Sequence, residues 1–185
     1  MQAVADVETS GNAFDEHGRP RILFERHYFH RLTGGRFDAA HAAISDATAG
    51  GYGKFSEQYG KLQEAYGLDA DAALRSASWG RFQIMGDNCR AAGHTSVREF
   101  VVALTQTEAA HLDAFVAFVS SDKAMAEALR KKDWATFAHR YNGPGYAKNS
   151  YDTKLKSAYD RFAAEAAPTQ AATRAAREAL GPKQP

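Results

Sequence analysis

The sequence predicts a mainly α-helical domain with a small β element near residues 20–25. Three features indicate this fold class. Apolar residues recur three and four positions apart in several segments, Ser or Asp precedes some of these segments, and Gly follows others. Alanine, the best helix former, is abundant throughout. Only a short apolar run near the start of the chain has the character of a strand.

That run is Ile22-Leu23-Phe24, two residues after Pro20. Proline disfavours a helical conformation at the residue before it, so a helix cannot easily cross this point. Phe24, Tyr28 and Leu32 nevertheless also fit a helical stripe. We therefore expect a short strand that leads into a helix over 20–33.

The longest predicted helix covers 97–119. Ser96 and Glu99 have the spacing of a capping box, in which side chains bond the free amides of the first helical turn. Apolar residues then recur on one face: Val97, Phe100, Val101, Leu104, Leu112, Phe115, Val116 and Val119. We expect this face to be buried, because helix propensity alone contributes little stability.

Shorter helices are expected from the same spacing at 57–66, 69–77, 82–92, 122–131, 134–141 and 151–166. Gly67, Gly93 and Gly143 would end three of them, and Asp133 would cap the helix at 134–141. The glycine-rich segment 33–53 reads as a long loop with one helical turn at most. A loop of that length within a domain usually has a function or is mobile.

The length of 185 residues fits one domain with a tail. We place the domain at 1–166 and the tail at 167–185, because Leu180 is the sole large apolar residue in that last stretch. No internal repeat is visible.

The composition argues against several classes of protein and of site. Hydrophobic residues make up 44% of the chain, and 23 Lys and Arg face 22 Asp and Glu, so nothing suggests the basic surface of a nucleic-acid-binding protein. The single cysteine, Cys89, excludes an internal disulfide and a cysteine-based zinc site; it reads as a buried small hydrophobe rather than a nucleophile. No run of eighteen apolar residues predicts a membrane span. The N-terminal segment lacks the basic and apolar regions of a secretory signal.

Glu8 is the first candidate for chemistry. Residues 2–8 fit a short helix that Gly11 would stop, which places Glu8 near the negative end of the helix dipole. The charged carboxylate is disfavoured there, so its pKa should rise, as a general acid in glycoside hydrolysis requires. The alternative is an ordinary exposed glutamate near a terminus.

Two further segments have the composition of a sugar-binding cleft. In Ser78–Gly86, Trp79 offers a flat apolar surface and Gln83 an amide, with a helix expected to start inside the segment. Phe82 and Ile84 read as core, and Trp79 and Met85 could also be core. In Tyr141–Tyr146, two tyrosines flank Asn142 beside a turn, although turn formation alone accounts for the glycines and the proline.

Taken in this order, three motifs resemble the signatures of the goose-type lysozyme and lytic transglycosylase superfamily. They are Glu8-x-Ser10-Gly11, Ser78-Trp79-Gly80-x-x-Gln83-Ile84-Met85 and Tyr141-Asn142-Gly143. The segment Gly18–Phe29, GRPRILFERHYF, more specifically resembles the N-acetylmuramidase family, which occurs as catalytic domains of phage endolysins. The resemblance extends from about Val4 to Phe162 and implies a lysozyme-like helical fold.

The resemblance also implies roles for individual residues. Glu8 matches the catalytic glutamate that protonates the glycosidic oxygen, and Glu25 matches a second acidic position that either activates water or supports developing charge. Substrate-binding residues in the cleft would be Ser10, Trp79, Gln83, Tyr141, Asn142 and Tyr146, with Trp79 as a buttress of the cleft wall. Family members usually carry more helix before the catalytic glutamate, so the rigidity of Glu8 is in question here.

Several alternatives stay open from the sequence. Glu25 is also placed to pair with Arg21 or Arg26, which would lower its pKa and favour a charged base beside a neutral acid at Glu8. The spacing of His27, His30 and His41 does not match a zinc site, and no metal or other cofactor is expected. A lytic transglycosylase would use Glu8 alone, and a non-catalytic peptidoglycan-binding domain would need neither carboxylate.

We expect a monomeric muramidase that cleaves the β-1,4 bond between N-acetylmuramic acid and N-acetylglucosamine. Its partner would be bacterial peptidoglycan, with no nucleic acid and no membrane span involved. Without a signal sequence, it would be made in the host cytoplasm and act on the cell wall after release.

Overall fold

A computed structural model describes residues 1–9 and 12–179 of the chain. The helices are α1 Gln2–Thr9, α2 Arg26–Thr33, α3 Gln58–Leu68, α4 Ala70–Arg75, α5 Val97–Leu104, α6 Glu108–Ser121, α7 Lys123–Lys131, α8 Trp134–Asn142 and α9 Tyr151–Ala179. The strands are β1 Ile22–Phe24, β2 Ala77–Trp79 and β3 Ile84–Met85. Short 3-10 turns lie at Phe55–Glu57, Gly86–Asn88 and Pro144–Asn149. The predicted mainly α-helical class with a small β element is confirmed.

The β element is an antiparallel sheet in the order β1-β2-β3. Ile22 pairs with Trp79, and Ser78 pairs with Met85. The outer edge of β1 is also occupied, because the Phe24 amide donates to Gln58 Oε1 of α3 at 2.9 Å. The predicted strand followed by a helix over 20–33 is confirmed, as is the long loop after α2.

The predicted helix at 97–119 is wrong in its continuity: α5 ends at Leu104, and α6 begins at Glu108. The Thr107 side chain accepts a hydrogen bond from the Ala110 amide at 3.2 Å, so it caps a second helix. Leu112 and Val116 of the predicted apolar face are exposed. The Ser96 cap is confirmed, with its hydroxyl accepting from the Glu99 amide at 3.2 Å.

The predicted helix at 82–92 is also wrong. The chain turns at Gly80–Gln83, enters β3 and continues through the 3-10 turn. Sheet pairing with β2 explains the change, since Ile84 is buried opposite Trp79. The helix predicted at 69–77 ends at Arg75, because strand β2 begins at Ala77.

The remaining helices lie close to the predictions. The helix expected at 57–66 runs to Leu68, so Gly67 lies inside it, and α7 and α8 lie where they were expected, with Asp133 capping α8. The α9 backbone continues past 166 to Ala179.

The core brings together aromatic and aliphatic side chains of most elements, including Phe24, Phe29, Phe100, Phe115, Phe137 and Leu155. Helix α1 packs against α9, which joins the two ends of the chain. An ion pair of 2.7 Å between Arg161 and Asp6 lies at the exposed side of this contact. In the described ranges, no helix is both long and apolar enough to cross a membrane.

Candidate active site

A cleft of about 550 Å³ runs between the end of α1, the junction of β1 with α2, the β2–β3 hairpin and the end of α8. Five of the residues proposed from the sequence line it or its floor, although they lie far apart along the chain. They are Glu8, Glu25, Gln83, Tyr141 and Asn142. The sheet and the α1–α9 contact thus bring these five residues together in space. In the sequence they are as many as 134 positions apart, from Glu8 to Asn142.

Glu8 lies in the last turn of α1, with its carboxyl group turned into the cleft wall. The Tyr151 hydroxyl donates a hydrogen bond to Glu8 Oε1. Burial raises the pKa of Glu8 to about 7, while hydrogen bonds from Tyr151 and Asn142 lower this pKa in part. The upward direction expected from the sequence is confirmed, but its main cause is loss of water contact rather than the helix dipole.

Glu25 occupies the N-cap position of α2, yet its side chain makes no capping bond. The backbone is fixed, because the Glu25 amide donates to the Ser76 carbonyl at 2.8 Å. The Glu25 side chain lies in the cleft, where its Oε2 is 3.2 Å from His27 Nδ1. Burial raises the pKa of Glu25, while His27 and a hydrogen bond from Tyr52 oppose the shift.

The alternative in which Glu25 pairs with Arg21 or Arg26 is therefore wrong. Arg26 instead lies 3.5 Å from Asp46 and donates to the Thr48 carbonyl at 3.1 Å. Arg21 lies over the Phe55 ring at 4.4 Å from its centroid. Consequently the pKa of Glu25 is raised, where the arginine pairing would have lowered it.

Gln83 stands at the tip of the β2–β3 hairpin with a φ of 48°, a left-handed conformation that is uncommon for a non-glycine residue. Its Nε2 donates to the Gly80 carbonyl at 2.8 Å and to the Arg21 carbonyl at 3.2 Å. Its Oε1 accepts from the Ser78 hydroxyl at 2.8 Å. These bonds hold the hairpin, and an amide oxygen can accept one further bond from a ligand.

Tyr141 and Asn142 form the wall opposite the sheet. The Tyr141 hydroxyl donates to the Phe82 carbonyl at 2.6 Å, and its ring stacks on Phe137 at 5.2 Å. This fixes the end of α8 against the hairpin. Asn142 lies within hydrogen-bonding reach of both Glu8 and Tyr151.

Two other proposed substrate-binding residues, Trp79 and Tyr146, do not line this cleft. Trp79 is buried, and its Nε1 donates to the Leu74 carbonyl at 3.0 Å, so it supports the sheet from the core and cannot touch a sugar. Tyr146 lines a neighbouring depression with His139 and Arg140. Ser10 lies outside the described residues.

The sequence did not single out three residues that contact the two carboxylates. Tyr151 lies at the start of the helix predicted at 151–166, His27 was considered only as a metal ligand, and Tyr52 lies in the glycine-rich loop. Tyr151 and Tyr52 reach the carboxyl groups through long-range contacts, which local periodicity cannot show. His27 lies only two residues after Glu25, and the side-chain directions at the start of α2 bring the two together. In the described part of the chain, no three His, Cys, Asp or Glu side chains are grouped as metal ligands would be.

Comparisons with known proteins identify the family of the chain. A family model described as Muramidase, N-acetylmuramidase, matches residues 1–163. The crystal structure of the Burkholderia AP3 phage endolysin is similar, with a TM-score of 0.79 and 44% sequence identity. The alignment covers 89% of this chain and 64% of the endolysin chain, so this chain spans less than two thirds of that protein. No match was found among curated proteins. The match over residues 1–163 shows that the chain belongs to the N-acetylmuramidase family.

Proposed function

We propose that this chain is a peptidoglycan muramidase that hydrolyses the β-1,4 bond between N-acetylmuramic acid and N-acetylglucosamine. The observation that carries the proposal is a buried glutamate, Glu8, with its pKa raised to about 7 beside an open cleft. Such a carboxyl group keeps its proton near neutral pH and can give it to a leaving oxygen. Membership of the N-acetylmuramidase family supports the substrate assignment.

In the proposed reaction, Glu8 donates its proton to the glycosidic oxygen as the bond from that oxygen to the anomeric carbon breaks. Glu25 accepts a proton from the water molecule that attacks the anomeric carbon. The products are two free sugar ends, a Glu8 carboxylate and a protonated Glu25, and solvent restores both groups. Positioned general acid catalysis of this kind contributes roughly 10²- to 10⁴-fold to the rate.

Tyr151 and Asn142 support Glu8 in this proposal. Their hydrogen bonds hold the carboxyl group in one orientation and limit how far burial raises its pKa. Both groups come from α8 and α9, so the packing of α1 against α9 orients the acid. The same packing supports a fixed position for Glu8 although the helix before it is short.

The second candidate is a lytic transglycosylase, in which Glu8 acts first as acid and then as base. One observation favours it: burial raises the pKa of Glu25, which disfavours the ionised form that water activation needs. The two reactions leave different ends, because a transglycosylase closes the muramic 6-hydroxyl group into an anhydro ring.

Substitution of Glu8 provides the first test. Glu8→Gln removes the transferable proton and keeps the shape, so we expect activity on purified peptidoglycan to fall by at least about 100-fold. Glu165→Gln, an exposed change on α9, is the matched control and should leave activity intact. An active Glu8→Gln variant would exclude this residue as the acid and remove the basis of the proposal.

Mass spectrometry of the released fragments, with and without borohydride reduction, separates the two reactions. Reducible muramic acid ends are expected from the muramidase, together with a large loss of activity in Glu25→Gln. Anhydro-muramic ends, with activity retained in Glu25→Gln, would instead establish the transglycosylase.

The similarity to a phage endolysin supports a role in lysis, in which the protein acts on the cell wall after its release from the cytoplasm. We propose that the chain acts there as a monomeric catalytic domain. Lysis of bacteria from outside by the wild-type protein, but not by Glu8→Gln, would support this placement.

A further inference from the structure

Two buried atoms face each other in the cleft. Glu25 Oε2 and His27 Nδ1 lie 3.2 Å apart, and neither forms a well-oriented hydrogen bond with any described residue. The distance is within the range for a hydrogen bond. Only the relative orientation of the carboxyl group and the imidazole ring does not meet the geometry of such a bond. Catalytic hydrogen bonds are often misaligned in the free enzyme and tighten when substrate binds.

A hydrogen on one of these two atoms would give both a partner. A carboxylate oxygen and an unprotonated imidazole nitrogen are both acceptors, and two buried acceptors facing each other would each lose hydration without a partner. Either the carboxyl group is protonated and donates to Nδ1, or Nδ1 carries the hydrogen and donates to an ionised carboxylate. Only the second arrangement leaves Glu25 able to accept a proton from water.

We propose that His27 is a positioning residue for Glu25, whose Nδ1–H holds the carboxylate ionised and oriented toward the attacking water. This inference rests on the proposed hydrolytic function, in which Glu25 activates water. His27 itself does not touch the reacting atoms and acts through Glu25.

The groups around the pair are consistent with this arrangement. The Tyr52 hydroxyl, from the loop before α3, also bonds Glu25. The Tyr28 ring lies edge-on to the His27 ring at 4.9 Å, and Glu8 shares the same cleft. The nearest arginine in sequence, Arg26, is turned away toward Asp46 at 3.5 Å. His27 is therefore the nitrogen donor that the structure places beside this carboxylate.

The chemistry predicts what loss of the donor does. Burial raises the pKa of Glu25, and the interaction with His27 is the largest effect that opposes this shift. Without it, more of the Glu25 population is protonated at a given pH. The acidic limb of the pH–activity profile should then move to higher pH, whereas the alkaline limb, which Glu8 sets, should stay.

Three substitutions distinguish a positioning role of His27 from a role of its ring in packing alone. His27→Asn places an amide donor near the position of Nδ1, His27→Gln places it near Nε2, and His27→Leu has no donor. We expect the acidic limb of His27→Leu and His27→Gln to rise by about one pH unit, which is a loss of about tenfold on that limb. The limb of His27→Asn should rise less than those of the other two variants, because its amide restores a donor near Nδ1 but not the coulombic part of the interaction.

Carbon-13 NMR titration of the Glu25 carboxyl carbon gives a readout that needs no activity. Its midpoint should rise in His27→Leu and His27→Gln and rise less in His27→Asn. An unchanged midpoint and an unchanged acidic limb in all three variants would overturn the role of His27. If Glu8→Gln were active, the proposed function would fail instead, whatever the titration of Glu25 showed.

Discussion

At the scale of single residues, the cleft contains carboxyl groups that are poorly solvated. Glu8 is the clearer case, because its pKa is raised from 4.5 to about 7 mainly by burial. A raised carboxyl pKa means that the folded protein binds a proton more tightly than the unfolded chain. Its contribution to stability is then fully present below about pH 4.5 and is lost as the pH rises to 7.

Glu8→Gln should therefore stabilise the protein at neutral pH while it abolishes activity. A pKa change from 4.5 to about 7 corresponds to at most about 3 kcal/mol. We expect the free energy of unfolding to rise by up to this amount at pH 8 and to change little at pH 4. Urea denaturation at the two pH values measures it.

Glu165→Gln is again the control, because that side chain is exposed and should show no such pH dependence. Equal effects of Glu8→Gln at pH 4 and pH 8 would contradict the burial of an ionisable carboxyl group at this position.

Tyr151 should influence the position of the alkaline limb of the activity profile through its bond to Glu8. Its hydroxyl donates to Glu8 and favours the carboxylate, so Tyr151→Phe should raise the pKa of Glu8. A hydrogen bond to a charged group is worth about 1.5–3 kcal/mol, so the limb should move up by about one to two pH units. The pH dependence of peptidoglycan cleavage measures the shift.

Tyr159→Phe, on the same helix, is the matched control. The Tyr159 ring packs against Trp134 at 5.3 Å, and this contact survives loss of the hydroxyl. The alkaline limb of this variant should equal that of the wild type. If Tyr151→Phe behaved in the same way, its bond to Glu8 would have no influence on the acid.

At the scale of elements, α2 begins with a residue that caps it poorly. Glu25 has the extended backbone of an N-cap, but its side chain is turned into the cleft. Ser is a strong N-cap residue, and it would bond the free amides of the first turn. Glu25→Ser should thus raise the free energy of unfolding by about 1 kcal/mol while activity is lost.

Glu25→Gln separates the two effects, because it loses the charge but cannot cap the helix. Thermal unfolding of both variants should show the greater stability for Glu25→Ser. The opposite order would mean that the contacts of this side chain in the cleft outweigh capping.

The β2–β3 hairpin depends on Gly80. Its φ is 71°, and an added Cβ would overlap the ring of His111, which is buried and bonded to the Arg81 amide and the Leu104 carbonyl. Gly80→Ala should cost at least about 2 kcal/mol, because a left-handed backbone and a fixed ring act together. Denaturant unfolding measures this loss.

Gly60→Ala in α3 is a contrasting control. No atom lies within 4 Å of a Cβ added there, and a helical alanine is favoured over glycine by up to about 1 kcal/mol. This variant should be slightly more stable than the wild type. A stable Gly80→Ala would show that the His111 ring can move.

At the scale of the whole molecule, the two ends of the chain meet at the candidate site. Glu8 comes from α1, and the Tyr151 that bonds it opens α9. Among the side chains of α9 that the structure describes, up to residue 166, Tyr151, Leu155 and Ala158 are buried. The boundary proposed from the sequence, between a domain at 1–166 and a tail at 167–185, stays a prediction.

A chain that ends at Ala166 tests this boundary. It retains those three buried residues and the Arg161–Asp6 pair, so we expect the thermal midpoint and the lytic rate to stay near those of the full chain. A large drop in either would show that the remainder of α9 stabilises the domain. Arg161→Ala is a mild control, because exposed ion pairs contribute at most about 1 kcal/mol.

The sequence by itself determined the helical class, the strand at 22–24, the starts of most helices and the identity of Glu8 as a candidate acid. These depend on local physics: the spacing of apolar residues, side chains that cap a helix, and glycines that end one. It also led to the correct family, because three motifs in a fixed order are more specific than any one of them.

Only the tertiary structure decided the rest. Trp79 is in the core, the segment after it forms a hairpin, and a threonine cap divides the helix predicted at 97–119. Tyr151 contacts a residue at the other end of the chain, and Glu25 faces His27 rather than an arginine. Contacts between distant segments place Tyr151 beside Glu8, and the side-chain directions at the start of α2 place His27 beside Glu25. Burial, which the spacing of apolar residues does not show for these two positions, is the main cause of the raised pKa of both carboxyl groups.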